Sequence, residues 1–487
     1  WPHASKPSEP NMSLPRVVTQ QACLHFGIAQ RDATPPVGIF HRFWGAANHD
    51  VATGVHRPVR VMATAFGDNS DPQNCSVLVT SDHCLLRPAD MARMRQAVVA
   101  AHPAISDSRL TFSFGHSHSA GHICSERANQ PGGDMIASYL DTLQERTLEA
   151  VRDATETLTP ARALFAHTDC DMAAHRDFQD PSDDQFVCGF NPANDWAFPV
   201  HVVRMRSMED QDLGSLVTYP CHPTTLAWEN TLISPDYIGA MRETIESGTG
   251  APCQFLLAPC GDIGPRHGFV GDVSVADSNG TRVGHAALAA WHSLDHSEGD
   301  FAYQGPVLSG ATLGEWRFQG WAADKTPLSH ERFHVPLAYR TDLRDIESIE
   351  SELRDWEQQS QDANASKPDR AGTARAMAER CRREWERVAP LPPGDSYPLQ
   401  VDILRCGDAD IVLVEGEPYH QLQRDLQDAF PDREIIVGVL SDGSRCSYLP
   451  TEDSFNKPLY QVQVSLLAAG CLERLRDAII QRLSTSC

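Results

Sequence analysis

The sequence has no apolar run near the roughly 18–20 residues that a membrane-crossing helix needs. Its longest runs, such as EIIVGVL, read as buried strands. It has no CxxC pair and no finger-like cysteine spacing, so its 14 cysteines do not build a metal finger. A chain of 487 residues needs no cystine framework to fold, and most of these thiols are expected to be reduced, buried and small. There is no GxSxG nucleophile elbow, no internal repeat and no coiled-coil array. Basic side chains are scarce: 41 Lys and Arg stand against 65 Asp and Glu, for a formal charge of −24. That field repels phosphate backbones and anionic lipid heads, so no nucleic-acid partner is expected. The opening WPHASKPSEPNMSLPR is polar and Pro/Ser-rich, without the charged start and apolar core of an intact signal peptide. The chain begins at Trp1. The expectation is a soluble protein with no transmembrane segment, cytoplasmic or exported after removal of an upstream signal.

What is present is ordinary globular composition, 41% apolar and 22% charged, in a chain long enough to bury a large core. Residues 1–20 read as a loose arm, and 21–487 as the body. Short β-like runs (VRVMATAF, SVLVTSD, RLTFSFGHSH, LVTYPCH, CQFLLAPCGD) alternate with helical spacing at 90–102 and 134–158. This predicts an α/β fold with a mixed sheet covered by helices. Within 342–389 the apolar residues Leu343, Ile346, Ile349, Leu353 and Trp356 recur at three or four, as do Met377, Cys381, Trp385 and Val388. DANASKPDRAGT lies between them, so an inserted two-helix hairpin is predicted there. VDILRC, DIVLVEGEP and EIIVGVLSDG then return to strands and are expected to complete the same sheet, with one helix over 461–483 closing the chain.

The candidate chemistry lies just past the β-runs. TFSFGHSHSAGH (111–122) carries His116, His118 and His122. On an extended strand His116 and His118 point to one face, so two imidazoles stand side by side, either hydrogen-bonded in a loop or holding a metal. The HxHxDH pattern of binuclear metallohydrolases does not fit, because Ala120 and Gly121 replace its Asp-His pair. LVTYPCHPT ends in His222 and Pro223, DIVLVEGEPYH carries Glu417, and EIIVGVLSDGSRCSYLP leads to Tyr448. In open α/β sheets sites collect outside strand ends, so His, His and Glu could meet at one point in the manner of a catalytic zinc. Tyrosine is an uncommon ligand, and spacing alone does not point to Tyr448. Asp32, Asp82 and Asp262 are expected to cap or orient neighbours. Asn230, Ser234 and Asp236 look like a helix N-terminal cap region. HRFWG (41–45) either lines a pocket or belongs to the core.

These motifs, in order, resemble the catalytic region of the neutral/alkaline non-lysosomal ceramidases, zinc amidases that hydrolyse N-acyl sphingosine. GIAQRDATPPVG, GVHRPVRVMATAF, FGHSHSAGH, VTYPCHPTTLAWENTLISPDYIGAM, APCGDIGPR, VEGEP and SYLPTEDSFNKPLY carry the likeness, from about residue 27 to 460. The resemblance implies one Zn2+ per chain held by His116, His222, Glu417 and Tyr448. His118 would serve as proton donor or acceptor beside the metal, and Tyr460 would face the carbonyl oxygen. It implies amide hydrolysis of a small-molecule or lipid-like N-acyl amine by a metal-bound hydroxide, with hydrolysis of another soluble ester or amide, or a metal-free binding role, as alternatives. The chain departs from the family in three places. Ala120, Gly121 and His122 stand where Gly-Pro-Gly is found. FNPAN (190–194) replaces Asn-Arg-Ser-Pro and has no arginine. The third is an expectation that the chain closes on one helix, without the family's C-terminal β-sandwich. These changes bear on substrate recognition more than on metal binding.

Overall fold

Eight strands form the large sheet: β1 (Gln21–Asp32), β2 (Arg60–Gly67), β3 (Ser76–His83), β4 (Leu110–Ser117), β5 (Thr159–Cys170), β6 (Phe198–Ser207), β7 (Asp212–Tyr219) and β8 (Cys253–Leu257). Their spatial order is β8-β7-β6-β5-β1-β2-β3-β4. The structure is a computed structural model that describes residues 15–183, 185–193, 197–295, 299–321, 328–363, 368–443 and 446–485. Neighbours run antiparallel except at the two edges, where β3–β4 and β7–β8 are parallel. A parallel pair needs a crossover. Helix α1 (Pro88–Ala101) supplies the first and α3 (Tyr237–Thr249) the second, while α2 (Ile136–Glu156) and α4 (Val273–His292) connect elsewhere and complete the outer layer. β3 and β4 are buried along their whole length, as their continuous apolar runs predict.

The later strands do not complete this sheet. β9 (Leu328–Ala338), β10 (Ser396–Cys406), β11 (Ala409–Val414) and β12 (Glu434–Gly438) form a second sheet in that order. Its inner face (Leu404, Ile411, Leu413, Ile436) packs on Leu24, Phe66, Leu78, Phe165 and Leu256 of the large sheet. Full burial of each such side chain contributes about 1.5–3 kcal/mol. The result is four layers, with helices outside both sheets. Period-two patterning marks a strand but not its partner, which is why one sheet was expected and two are found.

Helices α5 (Ile346–Ala363) and α6 (Pro368–Val388) pack on each other as a hairpin. α6 starts at Pro368, inside the expected break, because proline is well tolerated in a first helical turn. Beyond α7 (Gln421–Ala429), the single closing helix is instead two, α8 (Tyr460–Val464) and α9 (Cys471–Thr485). Between them Leu467 bridges to Tyr339 and Gly470 takes a left-handed φ of 82°, which ends the helical path. Of the expected loose arm, 1–14 lie outside the described residues, and Arg16–Val17 pairs with the strand Asp300–Ser309. Among the described residues every cysteine is free, and all but Cys188 are buried. No described helix is long and apolar enough to cross a membrane.

Two features position the site. The large sheet coils until its edge strands β4 and β8 come into contact. Gln254 of β8 accepts from Thr64 of β2 and donates to the Leu78 carbonyl of β3 at 3.2 Å. The segment after β12 then fills the seam. Val439 N donates to Leu257 O at 2.9 Å, Asp442 N donates to Phe112 O at 2.9 Å, and Ser113 Oγ donates to Val439 O at 2.8 Å. Opposite edges of one sheet, and the carboxyl end of the second, therefore meet at one place.

Candidate metal centre

At that place four strand ends deliver side chains. His116 stands at the end of β4, His222 three residues past β7, and Glu417 three past β11. Glu417 and Tyr448 are direct register partners in a short parallel pair, Glu417–Pro418 with Tyr448–Leu449, so placing one places the other. Gly416 makes this possible. Its φ is 79°, and a Cβ there would lie 2.6 Å from Cys446 Sγ.

The Oε2 atom of Glu417 lies 3.4 Å from His116 Nε2 and 3.1 Å from His222 Nε2, and the Tyr448 hydroxyl lies 3.4 Å from His222 Nε2. Both imidazoles are anchored from behind. His116 Nδ1 is 2.9 Å from the Cys84 carbonyl, and His222 Nδ1 is 2.8 Å from the Cys260 carbonyl. A carbonyl only accepts, so each Nδ1 carries a hydrogen, and each Nε2 faces a carboxylate oxygen. Burial opposes charge on both rings and holds His222 down at about 4, but Cys84 and Glu417 raise the His116 pKa well above the ordinary value, so a proton is shared between His116 and Glu417. An imidazole nitrogen held against a carboxylate oxygen needs a cation between them, a proton or a metal ion, and here two such nitrogens converge on one oxygen. The donor set thus fits a divalent metal, and the carbonyl anchor on the far nitrogen is the usual support of a metal-binding histidine. Burial would raise the Glu417 carboxyl, yet the two imidazoles hold it well below the usual carboxylate range.

His116 has a φ of 65°, a left-handed backbone unusual for a residue with a Cβ. Its closeness to His118, with ring centroids 4.9 Å apart, therefore does not rest on simple strand alternation. His118 sits against Phe43 at 4.4 Å and Trp44 at 5.1 Å between centroids. Both of its ring nitrogens are shielded and have no hydrogen-bond partner among the described residues. Burial, and then the neighbouring His116 and His222, push its pKa well below the ordinary value, so it is neutral. Tyr460, the first residue of α8, is 45% exposed with its ring 6.0 Å from that of Tyr448. His122 belongs to a different buried group, with Cys124 and Glu386, but lines the same small cavity of about 80 Å³ as His116, His118 and Glu417. Phe43 lines that cavity too.

The remaining candidates are structural. Asp82 forms a buried ion pair with Arg242 at 2.6 and 3.0 Å. Asp262 accepts from His420 N, and Asp236 caps α3 through Tyr237 N at 2.7 Å. Asn194 of FNPAN lies outside the described residues.

Sequence reading missed Arg176. It is buried within AAHRDF, with its guanidinium carbon 5.4 Å from the Tyr448 ring centroid, and it donates to Gly261 O at 2.6 Å. Burial opposes its charge, but the Tyr448 phenol and other acidic neighbours hold its pKa well above the ordinary arginine value. An arginine thus does stand at the site, supplied by a segment upstream of FNPAN. Nothing in AAHRDF distinguishes it from a surface arginine until the short strand Ala173–His175 is seen paired with Ile263–Pro265. Cys84 and Cys260 fall under the general expectation of small, buried thiols and carry no mark of a role at the site. Each follows the parallel neighbour of the strand that carries its histidine, which is why their carbonyls form a matched pair of anchors.

Fold and site together define a four-layer α/β protein with a candidate metal centre at its converging strand ends. No family model matches the chain, and no curated protein does. Two solved structures share its fold over 94% of this chain and 74% of theirs. One is a ceramidase complexed with C2, at a TM-score of 0.64, and the other is the neutral ceramidase from Pseudomonas aeruginosa, at 0.63. Both are 14% identical to it, so the likeness is one of fold.

Proposed function

We propose that the chain is a zinc-dependent amidohydrolase of ceramidase type that cleaves the amide of an N-acyl amine. The observation that carries this reading is the pair of anchored imidazoles, each with Nε2 toward the same Glu417 oxygen. In this reading His116, His222, Glu417 and Tyr448 hold one Zn2+. Zinc so held supplies Lewis acidity and lowers the pKa of water bound to it to about 7. Burial and Glu417 push the Tyr448 pKa well up, and the Arg176 charge beside the phenol opposes them, favouring the ionised, ligating form. His118, kept neutral, has a free ring nitrogen that accepts the proton of the attacking water and returns it to the leaving nitrogen. Such acid–base help is worth about 10²–10⁴-fold. The Tyr460 hydroxyl donates to the amide oxygen as charge develops there.

The test is metal analysis joined to a substrate panel. The purified chain should hold one equivalent of zinc and release fatty acid from N-acyl sphingosine or from smaller N-acyl amines. His116→Ala and Glu417→Ala should lose both metal and turnover; full retention of either property in both variants would refute the reading. A second reading, a hydrolase of the same fold acting on a different soluble ester or amide, is favoured by Arg383 and Arg387, which line the small cavity beside Glu417.

A further inference from the structure

We propose that the substrate is an amide with a carboxylate close to the scissile bond, as in an N-acyl amino acid, and that Arg387 with Arg383 binds that carboxylate. This deepens the amidase reading above and rests on it. The small cavity at Glu417 adjoins a larger one of about 670 Å³ beneath the helical hairpin, and the residues common to both are Arg383, Arg387, Tyr460 and Val464. A molecule reaching the candidate metal centre from the larger cavity passes residues that include two arginines. In a chain of formal charge −24 this is a local reversal of sign.

The charges are not matched by the protein. Arg383 Nε donates to Glu379 at 2.9 Å, but Arg127 also donates to both Glu379 oxygens, at 2.8 and 3.0 Å. The Arg383 Nη2 atom is shielded and has no partner among the described residues. Arg387 makes no ion pair with any described residue, and its Nε is likewise shielded and unpartnered. Burial pushes the Arg387 pKa down, with Arg383 and Arg87 adding to that and only Tyr460 and Glu384 opposing it. Arg387 is half-buried and lines both cavities, so its guanidinium is open to a bound carboxylate, in the planar, two-pronged geometry that arginine favours. Arg387 and Tyr460 line the same two cavities. The Tyr460 hydroxyl is assigned to the amide oxygen, so an anion at Arg387 shares the cavity with the scissile carbonyl. Sphingosine offers hydroxyls there and no anion.

The experiment compares N-lauroylglycine with N-lauroylethanolamine, two amides that differ in a terminal carboxylate against a hydroxyl. Turnover of the zinc-loaded chain is measured for both. Binding is measured by calorimetry with the uncleavable keto analogues of both, in which CH2 replaces the amide NH. The carboxylate member should be preferred about ten- to a hundredfold in kcat/KM and in affinity, the equivalent of one charge-assisted hydrogen bond. Arg387→Gln should bring both ratios toward one, and Arg387→Lys should restore part of the preference. Equal or weaker binding of the keto acid by the wild-type chain overturns the inference, as does an Arg387→Gln variant that keeps the full preference. Cleavage of neither amide, with the keto acid still preferred and the preference lost in Arg387→Gln, would uphold the anion site and sink the amidase reading instead.

Discussion

Replacing Glu417 by glutamine keeps the shape of the side chain and removes its charge. In the native chain one oxygen, Oε2, faces both imidazoles, at 3.4 Å from His116 Nε2 and 3.1 Å from His222 Nε2. An amide NH2 turned to the same point donates to those two lone pairs and closes the site without a cation. The variant therefore loses metal affinity twice, by removal of an anionic ligand and by stabilisation of the empty site. Changes in the shell behind metal ligands cost about 10–100-fold in affinity, so loss of a ligand's charge should cost at least about 100-fold, or about 2.7 kcal/mol. Zinc competition against a chromophoric chelator measures this directly, with circular dichroism to check that the variant is folded. If Glu417→Gln binds one equivalent of zinc within about threefold of the native affinity, a difference of only about 0.7 kcal/mol, the carboxylate is no ligand and the convergence of strand ends has another purpose.

Three further outcomes are expected. Tyr460→Phe should leave zinc content unchanged and lower kcat by about 10²–10³-fold with little change in KM, since the hydroxyl is assigned to the developing charge; steady-state kinetics decide it. Asp82→Ala strands the buried Arg242 guanidinium and should cost about 3–5 kcal/mol in chemical denaturation, without touching the metal site. Glu434 is a pH-dependent element. Burial would raise its carboxyl, but His167 and His201 lower it from 4.5 to about 2. A depressed carboxylate stabilises the fold fully above about pH 4.5 and loses that contribution as pH falls through about 2, a change of about 3 kcal/mol. Glu434→Gln should flatten that part of the acid limb in urea titrations at successive pH values, and an unchanged limb refutes the assignment.

The strand runs and the helical hairpin were legible because each follows from local period: two for strands, three to four for the apolar positions of α5 and α6. Each strand-end candidate, His116, His222 and Glu417, was visible for the same reason, since a buried β-run followed by a turn residue exposes what comes next. Tyr448 could be named only through resemblance, because nothing within SYLPTED marks a tyrosine as a ligand. The break between α8 and α9 was missed because apolar spacing continues through Ser465–Leu466–Leu467, while the chain there bridges to Tyr339, a contact more than a hundred residues away in sequence. Arg383 and Arg387 lie on a helix whose apolar spacing alone was legible, and nothing local marks them until α6 is seen against the cavity.

Local chemistry, then, determined which segments are strands, which are helices, and which polar side chains stand at their ends. Only the tertiary structure decided that they meet. The coiling that joins β4 to β8 and the seam filled by Val439 to Asp442 depend on hydrogen bonds such as Asp442 N to Phe112 O, between residues 330 apart in the chain. No periodicity records a pairing of that range. The same holds for charge: a sequence counts arginines and carboxylates, but whether Arg387 has a counter-ion depends on which of them the fold leaves within reach.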